Sequence, residues 1–502
     1  MRAENLLGLD LSFVGLAFSV GEAEIMAGLM RGRALEAALG VALMSASAGI
    51  SSHALAQGAT DYPIPSSAKE AFSPIGEGFG SPIDPRNDLR GPRSYLDPRE
   101  ARLDAARRQH MPNAPAFFRD TQLTANSRTY WFDEHDFGYD DSEALTTGGS
   151  LAYESGYIAE FFQLRSVLYT SQPLYGNAFA GDTVNLTTDG DQITTLGQIN
   201  GRMTLAGQEL TVGRQLVRTP YINPYDVRMI PLTFEGIVIV PEHKAGQTFD
   251  YIASYLTQYK PRDTATSESF SNGLGVEQDE GVLVNGVSYH GAAWNAGVAN
   301  YWIKDTLNTA YGEIDYMLPF GGGEDGPSFR VGVNDLDQRT VGADLIAGGP
   351  YNTYQTSARL VASYAGFVLT GAVSQVGDEA NIQKPFGYST SYTGMIVTSF
   401  HQASVQAYFL SLSHDLENIG LEGVKLHAAW GKGTGTPDLA TNGGFANQEE
   451  LDLRFVYEPH GGSLQGLRVE VEYIDWRVFD AGLPSDDLTQ FRAIVNYSVP
   501  LL

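Results

Sequence analysis

Cysteine is absent from the 502 residues, which excludes disulfide staples and thiolate metal sites. Basic side chains are scarce: 32 Lys and Arg stand against 59 Asp and Glu, a formal charge of −27. Phosphate binding needs a basic surface, so a nucleic-acid partner is excluded. Long apolar runs are missing as well. Beyond residue 60 no stretch reaches the roughly 18 residues that a membrane helix needs, and the mean hydropathy is slightly negative. No histidine pair stands at metal-ligand spacing and no G-x-S-x-G elbow appears. The "GKGTG" at Gly431 lacks the frame of a phosphate loop. Neither a metal, another cofactor nor an enzymatic site is expected.

What is present begins with an export signal. "MRGRALEAALGVALMSASAGISSHALAQG" starts at Met30 with Arg31 and Arg33, continues through an apolar stretch to Ile50, and offers the small-x-small site Ala54-Leu55-Ala56. That order predicts a secretory signal peptide cleaved after Ala56, within a region 1–56 whose true start is Met26 or Met30. Residues 57–116 are rich in Pro, Arg, Asp and Ser without a sustained period. They are expected to form a periplasmic lead or partial plug, with a short helix between Glu100 and Gln109.

From Phe117 onward short alternating runs are separated by Gly, Asn and Asp turns. In "GQTFDYIASYLTQY" the residues Phe249, Tyr251, Ala253, Tyr255, Thr257 and Tyr259 share one face, against Asp250, Ser254, Gln258 and Lys260. "LDLRFVYEP" sets Leu451, Leu453, Phe455 and Tyr457 against Asp452, Arg454 and Glu458. "LRVEVEY" and "TQFRAIVNYSV" repeat the pattern. Side chains alternate across a strand, so each run has one apolar and one polar face. A soluble sandwich would show the same alternation. Runs of about ten residues ending in Tyr, Trp and Phe fit strands that cross a bilayer at a tilt. The 26 tyrosines suit aromatic girdles. The expected fold over residues 117–502 is therefore all-β, a transmembrane antiparallel β-barrel. Short links such as His414 to Gly423 and Glu458 to Gly466, set against longer segments such as Gly431 to Glu450, suit the loop asymmetry of such barrels.

The run "VGRQLVRTPYINPYDVRMIPLTFEG", Val212 to Gly236, resembles a block of the OprD-type family of substrate-specific outer-membrane porins. The matching positions are Gly213 to Gln215, Thr219 to Asn223, Asp226, Arg228, Met229, Pro231 and Thr233 to Gly236. "FFRDTQLTANSRTYWF", "YESGY" and the last three alternating runs are similar to the family's first, second and last strands. The resemblance implies an 18-stranded barrel, monomeric or a loose homotrimer, with inward-folded constriction loops, in the outer membrane of a Gram-negative bacterium. It also implies a basic ladder along the channel wall, for which Arg128, Arg214, Arg228, Arg454 and Arg492 match family positions. Alternation alone adds Arg165, Arg202 and Arg468. Arg214 and Arg228 are expected to face the lumen, with the segment from Arg218 to Pro231 as an inserted loop. Asp226 is expected on the acidic side of the constriction, meeting an amine or orienting an arginine.

A narrow pore focuses the field of fixed charges, and forked guanidiniums can pass a carboxylate along. The solute expected is therefore a small carboxylate-bearing or amino-acid-like nutrient. Glu470 and Glu472 stand where more basic residues would be expected, which weakens an anion-selective ladder. They read as a solvated lumen face rather than a glycosidase acid pair. The alternative to a pore is an exported β-rich binding protein or adhesin.

Overall fold

The computed structural model describes residue 103 and residues 106–136, 140–159, 161–242, 248–291, 293–318, 327–346, 349–435, 447–479 and 487–502. The expected signal region 1–56 and most of the lead 57–116 lie outside the described residues. Residues 106–110 are helical, overlapping the end of the expected helix, and a single helical turn, Ala116–Arg119, precedes the sheet.

Nineteen strands follow among the described residues: β1 (Gln122–Asp136), β2 (Ser142–Glu154), β3 (Phe162–Gly176), β4 (Ile193–Leu205), β5 (Gln208–Gln215), β6 (Thr233–Pro241), β7 (Phe249–Lys260), β8 (Glu268–Ser269), β9 (Val282–His290) and β10 (Trp294–Ile303). The series continues with β11 (Leu307–Leu318), β12 (Ser328–Thr340), β13 (Asn352–Tyr364), β14 (Phe367–Val376), β15 (Gln406–Asp415), β16 (Val424–Thr434), β17 (Asn447–Tyr457), β18 (Leu467–Phe479) and β19 (Leu488–Pro500). Consecutive strands pair antiparallel, and β1 pairs with both β2 and β19, so that Trp131 lies opposite Leu145 and Ala493. The sheet closes on itself. The two-residue β8 pairs only with the end of β7, which leaves an 18-strand barrel. Closure leaves no unpaired strand edge, the condition for crossing a bilayer with strands. No described helix is long and apolar enough to cross a membrane.

The outer face carries the apolar half of each alternating run. Leu168, Ile199, Val298, Leu360, Leu410 and Phe455 stand exposed on the wall, with Val298 at 56% and Leu410 at 52%. An exposed apolar belt of this extent matches a hydrocarbon surround. Short turns join strands at the end that carries the termini. Four long segments, 177–192, 216–232, 261–281 and 377–405, leave the opposite end. Segments 216–232 and 377–405 meet each other: Asn223 N–H donates to Phe386 O (3.1 Å), and Tyr388 N–H donates to Asn223 Oδ1 (3.1 Å). A Cβ on Gly387 would lie 2.4 Å from Asn223 Nδ2, so glycine is required for this approach. Tyr221, Ile222, Phe270 and Phe386 join inward wall residues Phe234, Tyr259 and Tyr301 in one buried cluster. Loop residues thus pack on the inner wall of the barrel.

Two expectations change here. The pairing of β6 with β7 passes from Glu235–Gln258 to Gly236–Leu256, skipping Thr257. This bulge reverses the alternation and turns Tyr259 inward, opposite Phe234. In the segment Gly431 to Glu450, read as one loop, residues 431–434 belong to β16 and 447–450 to β17.

Candidate functional site

The inner face of β17, β18 and β19 carries charge in an ordered chain. Arg468 contacts Glu458 (2.9 Å) and Glu470 (3.0 Å), Glu470 contacts Arg454 (2.9 Å), Arg454 contacts Glu472, and Glu472 contacts Arg492 (3.4 Å). Register explains the arrangement: Arg454 lies opposite Glu472, and Glu472 opposite Arg492, so two-residue spacing on three strands stacks alternating signs on one face. Glu470 and Glu472 are thus the partners that hold the wall arginines.

On the strands that follow around the ring, Arg202 pairs with Glu209 (3.1 Å) and Arg165 with Glu154 (3.2 Å). Arg128 pairs with Asp226 (2.7 Å) and donates to Asn496 Oδ1 (2.8 Å) and to Arg228 O. Asp226 is thus the carboxylate partner of Arg128. By this bond the wall ties down segment 216–232.

Arg214 does not face the lumen. It lies opposite Ile199 on β4 and Glu235 on β6, sharing a face with the exposed Ile199, Val212 and Ile237. Inward positions on the same strands are Thr211, Gly213 and Gln215. Gly213 adopts φ +118°, and a Cβ there would lie 2.4 Å from Ile199 O. Arg214 pairs with Glu235 (3.1 Å) on the outside of the wall.

Arg228, within segment 216–232, is held differently from the wall arginines. Its guanidinium donates to Thr183 O (2.9 Å) and Val227 O (3.0 Å) and lies 5.0 Å from the Phe132 ring centroid. Arg492 approaches the same ring at 5.4 Å. Among the described residues no carboxylate lies within ion-pair distance of Arg228. Burial pushes its guanidinium down to about 10, and the charges of Arg492 and Arg262 add to the effect.

Sequence reasoning missed several groups, two of them cations on segments that alternation cannot place and the others strand residues whose partners lie on those segments or on other strands. Arg262, on segment 261–281, stacks on the Tyr225 ring at 4.3 Å, and Tyr225 packs on Tyr388 at 5.4 Å. Lys384, on segment 377–405, is lowered by burial and by the charge of Arg262. The missed carboxylates are anchors. Glu450 accepts the Val397 and Thr398 N–H groups (both 2.7 Å). Glu313 accepts from Tyr392 (2.5 Å) and Tyr311 (3.0 Å), while Arg359 binds Asp315 (3.0 Å) and stacks on Tyr392 at 4.1 Å. These contacts fix segment 377–405 across the barrel interior.

Ser288, His290 and Asp250 also come together, but both contacts, Ser288 Oγ at 3.2 Å and Asp250 Oδ2 at 3.0 Å, use His290 Nε2. A hydrolytic triad needs the acid on the other ring nitrogen. Among the described residues no group of His, Asp and Glu is arranged to hold a metal ion.

An antiparallel barrel with inward-folded loops and an ordered inner column of charges is the build of a selective pore. Solved structures share it. The chain is similar to OpdK of Pseudomonas aeruginosa, in a structure with vanillate, at 18% identity over 76% of this chain and 100% of that one, with a TM-score of 0.66. OccAB1 of Acinetobacter baumannii gives 17% identity, 78% and 99% coverage and a TM-score of 0.68. OccK9 (OpdG) of Pseudomonas aeruginosa gives 19% identity, 77% and 100% coverage and a TM-score of 0.68. No curated protein matches the chain by sequence. Residues 115–501 match the profile described as outer membrane porin, OprD family. With that match over most of its length, the chain belongs to the OprD family of outer-membrane porins.

Proposed function

We propose that this porin gives diffusion-driven, selective passage to small hydrophilic solutes bearing a carboxylate, amino-acid-like solutes included. Its family is one of channels rather than enzymes. Support comes first from Arg228, a buried cation on an inserted segment with no carboxylate within ion-pair distance among the described residues. A low-dielectric constriction strengthens the field of such a charge. The inward arginines Arg202, Arg165, Arg128, Arg468, Arg454 and Arg492 would serve as successive weak contacts leading to it. Their carboxylate partners reduce the net positive field and keep each contact weak enough to release. The long segments belong to the chain whose barrel they enter, so one copy suffices as a channel, alone or in a loose homotrimer.

Solute entry into liposomes holding the refolded protein tests this reading. Butyrate is expected to enter several-fold faster than butyramide, its neutral counterpart of equal size. Equal rates would contradict carboxylate selectivity.

A further inference from the structure

Segment 377–405 is fastened in two chemically different ways. Toward its ends the bonds are neutral. Gln383 N–H donates to Gln338 Oε1 and Gln338 Nε2 to Gln383 O, both at 2.8 Å. Asn334 Nδ2 donates to Thr390 O (2.7 Å), the Tyr388 hydroxyl to Met395 O (2.8 Å) and Gln355 Nε2 to Phe400 O (3.1 Å). Between Met395 and Phe400 the chain depends on two carboxylates of β17. Asp452 Oδ2 accepts the Ile396 N–H (3.4 Å), and Glu450 accepts the next two, from Val397 and Thr398. Three consecutive N–H groups thus end on one acidic pair.

The flanking residues sit in a notch of β16. A Cβ on Gly431 would lie 2.9 Å from Met395 Cγ, and one on Gly433 would lie 2.5 Å from Phe400 Cδ1. Phe400 is fully buried and adopts φ +47°, a left-handed conformation that an aromatic residue keeps only where its surroundings enforce it. Glu450 and Asp452 are also fully buried and stand two positions apart on the inward face. Among the described residues neither joins an ion pair, whereas Glu313 and Asp315 share Arg359 at 3.5 and 3.0 Å. The charged and titratable groups facing the pair are Glu472, Arg454 and Arg492 on the wall, His427 on β16 opposite Arg454, and Tyr388 on the segment. Asp452 Oδ1 has no hydrogen-bond partner. Buried carboxylates so placed hold their charge through hydrogen bonds alone, and the unfilled oxygen leaves a place for a proton.

We infer that residues 396–399 form a proton-operated latch, fastened by Glu450 and Asp452 and hinged at Met395 and Phe400. A proton taken from solvent removes charge from the pair. Hydrogen bonds to an ionised acceptor are roughly twice as strong as neutral ones, so acid weakens the fastening while the backbone conformation of Phe400 favours release. The neutral bonds at either end are unaffected, and only the middle of the segment swings from the wall. Rising pH restores the charge and closes the latch. The device acts on the segment whatever solute passes, so it stands apart from the carboxylate reading above.

Open-channel current noise in a planar bilayer, in symmetrical KCl at about pH 8 and about pH 5, is the test. Wild-type noise should be about threefold larger at the lower pH, as expected when two hydrogen bonds lose their charge assistance. Glu450→Gln should show the large noise at both values; Asp452→Asn serves in its place if that variant does not fold. Gly433→Ala displaces the Phe400 ring and leaves every carboxylate in place, and it too should be noisy at both. His427→Gln, and Asp475→Asn on the outer face opposite Leu451, should keep the wild-type response. Heat-modifiable migration on a gel shows that each variant has folded. Equal wild-type noise at both values would overturn the latch, as would a wild-type response in the folded Glu450 variant. Loss of the response in the His427 variant would move the proton to that ring and overturn the assignment to the acidic pair.

Discussion

Arg214 and Arg228 lie fourteen positions apart in one arginine-bearing run and meet opposite surroundings. The signal separating them was present in the sequence. Leu210, Val212 and Arg214 share one parity, so alternation read from the strand itself places Arg214 with the apolar outer face. Reading the run as a single basic block hid that. The outer pair Arg214–Glu235 is partly exposed, at 23% and 42%, and exposed pairs contribute about 0–1 kcal/mol. Arg214→Ala is therefore expected to leave the anion-to-cation permeability ratio within error of wild type. It should lower stability by no more than about 1 kcal/mol. A marked loss of anion preference in bilayer recordings would place Arg214 in the conduction path and refute the register argument. Tyr225, Arg262 and Lys384 show the opposite limit of sequence reading. Their grouping depends on how three segments far apart in the chain fold into one lumen, and no periodicity encodes that.

At the scale of elements, the strands were legible and their exceptions were not. Leu451, Leu453 and Phe455 against Asp452 and Arg454 gave the outer and inner faces of β17 correctly, because one face of that strand meets an apolar surround and the other does not. The bulge at Thr257 broke the same rule for Tyr259, since one extra residue leaves the composition of the run unchanged while reversing its faces. Segment 377–405 illustrates how an inserted loop becomes part of the wall. Glu450 takes two N–H groups of its backbone at 2.7 Å each, and a net hydrogen bond contributes about 0.5–1.5 kcal/mol. Glu450→Ala removes both acceptors and should release the 396–398 stretch. The expected result is a larger and noisier single-channel conductance with an unchanged barrel signature on a gel. Conductance equal to wild type, with the same noise, would show that Glu313 and Arg359 suffice to hold the segment.

For the whole molecule, a formal charge of −27 coexists with an interior of ordered arginines. Total charge governs solubility and long-range repulsion, while passage through a pore depends on the few charges at its narrowest part. The inner column from Arg468 to Arg492 is nearly balanced by Glu458, Glu470 and Glu472, and Arg128, Arg165 and Arg202 each have a carboxylate partner. In the proposed reading the loop cations Arg228, Arg262 and Lys384 tip the balance, set against the interior carboxylates Glu313, Asp315, Glu450 and Asp452. The measurement that bears most directly on this is the reversal potential of single wild-type channels in a planar bilayer under a tenfold KCl gradient. An excess of cations at the constriction predicts a reversal potential displaced toward the chloride equilibrium value. Displacement toward the potassium value would mean that the wall and mouth carboxylates dominate the field, and would contradict the account.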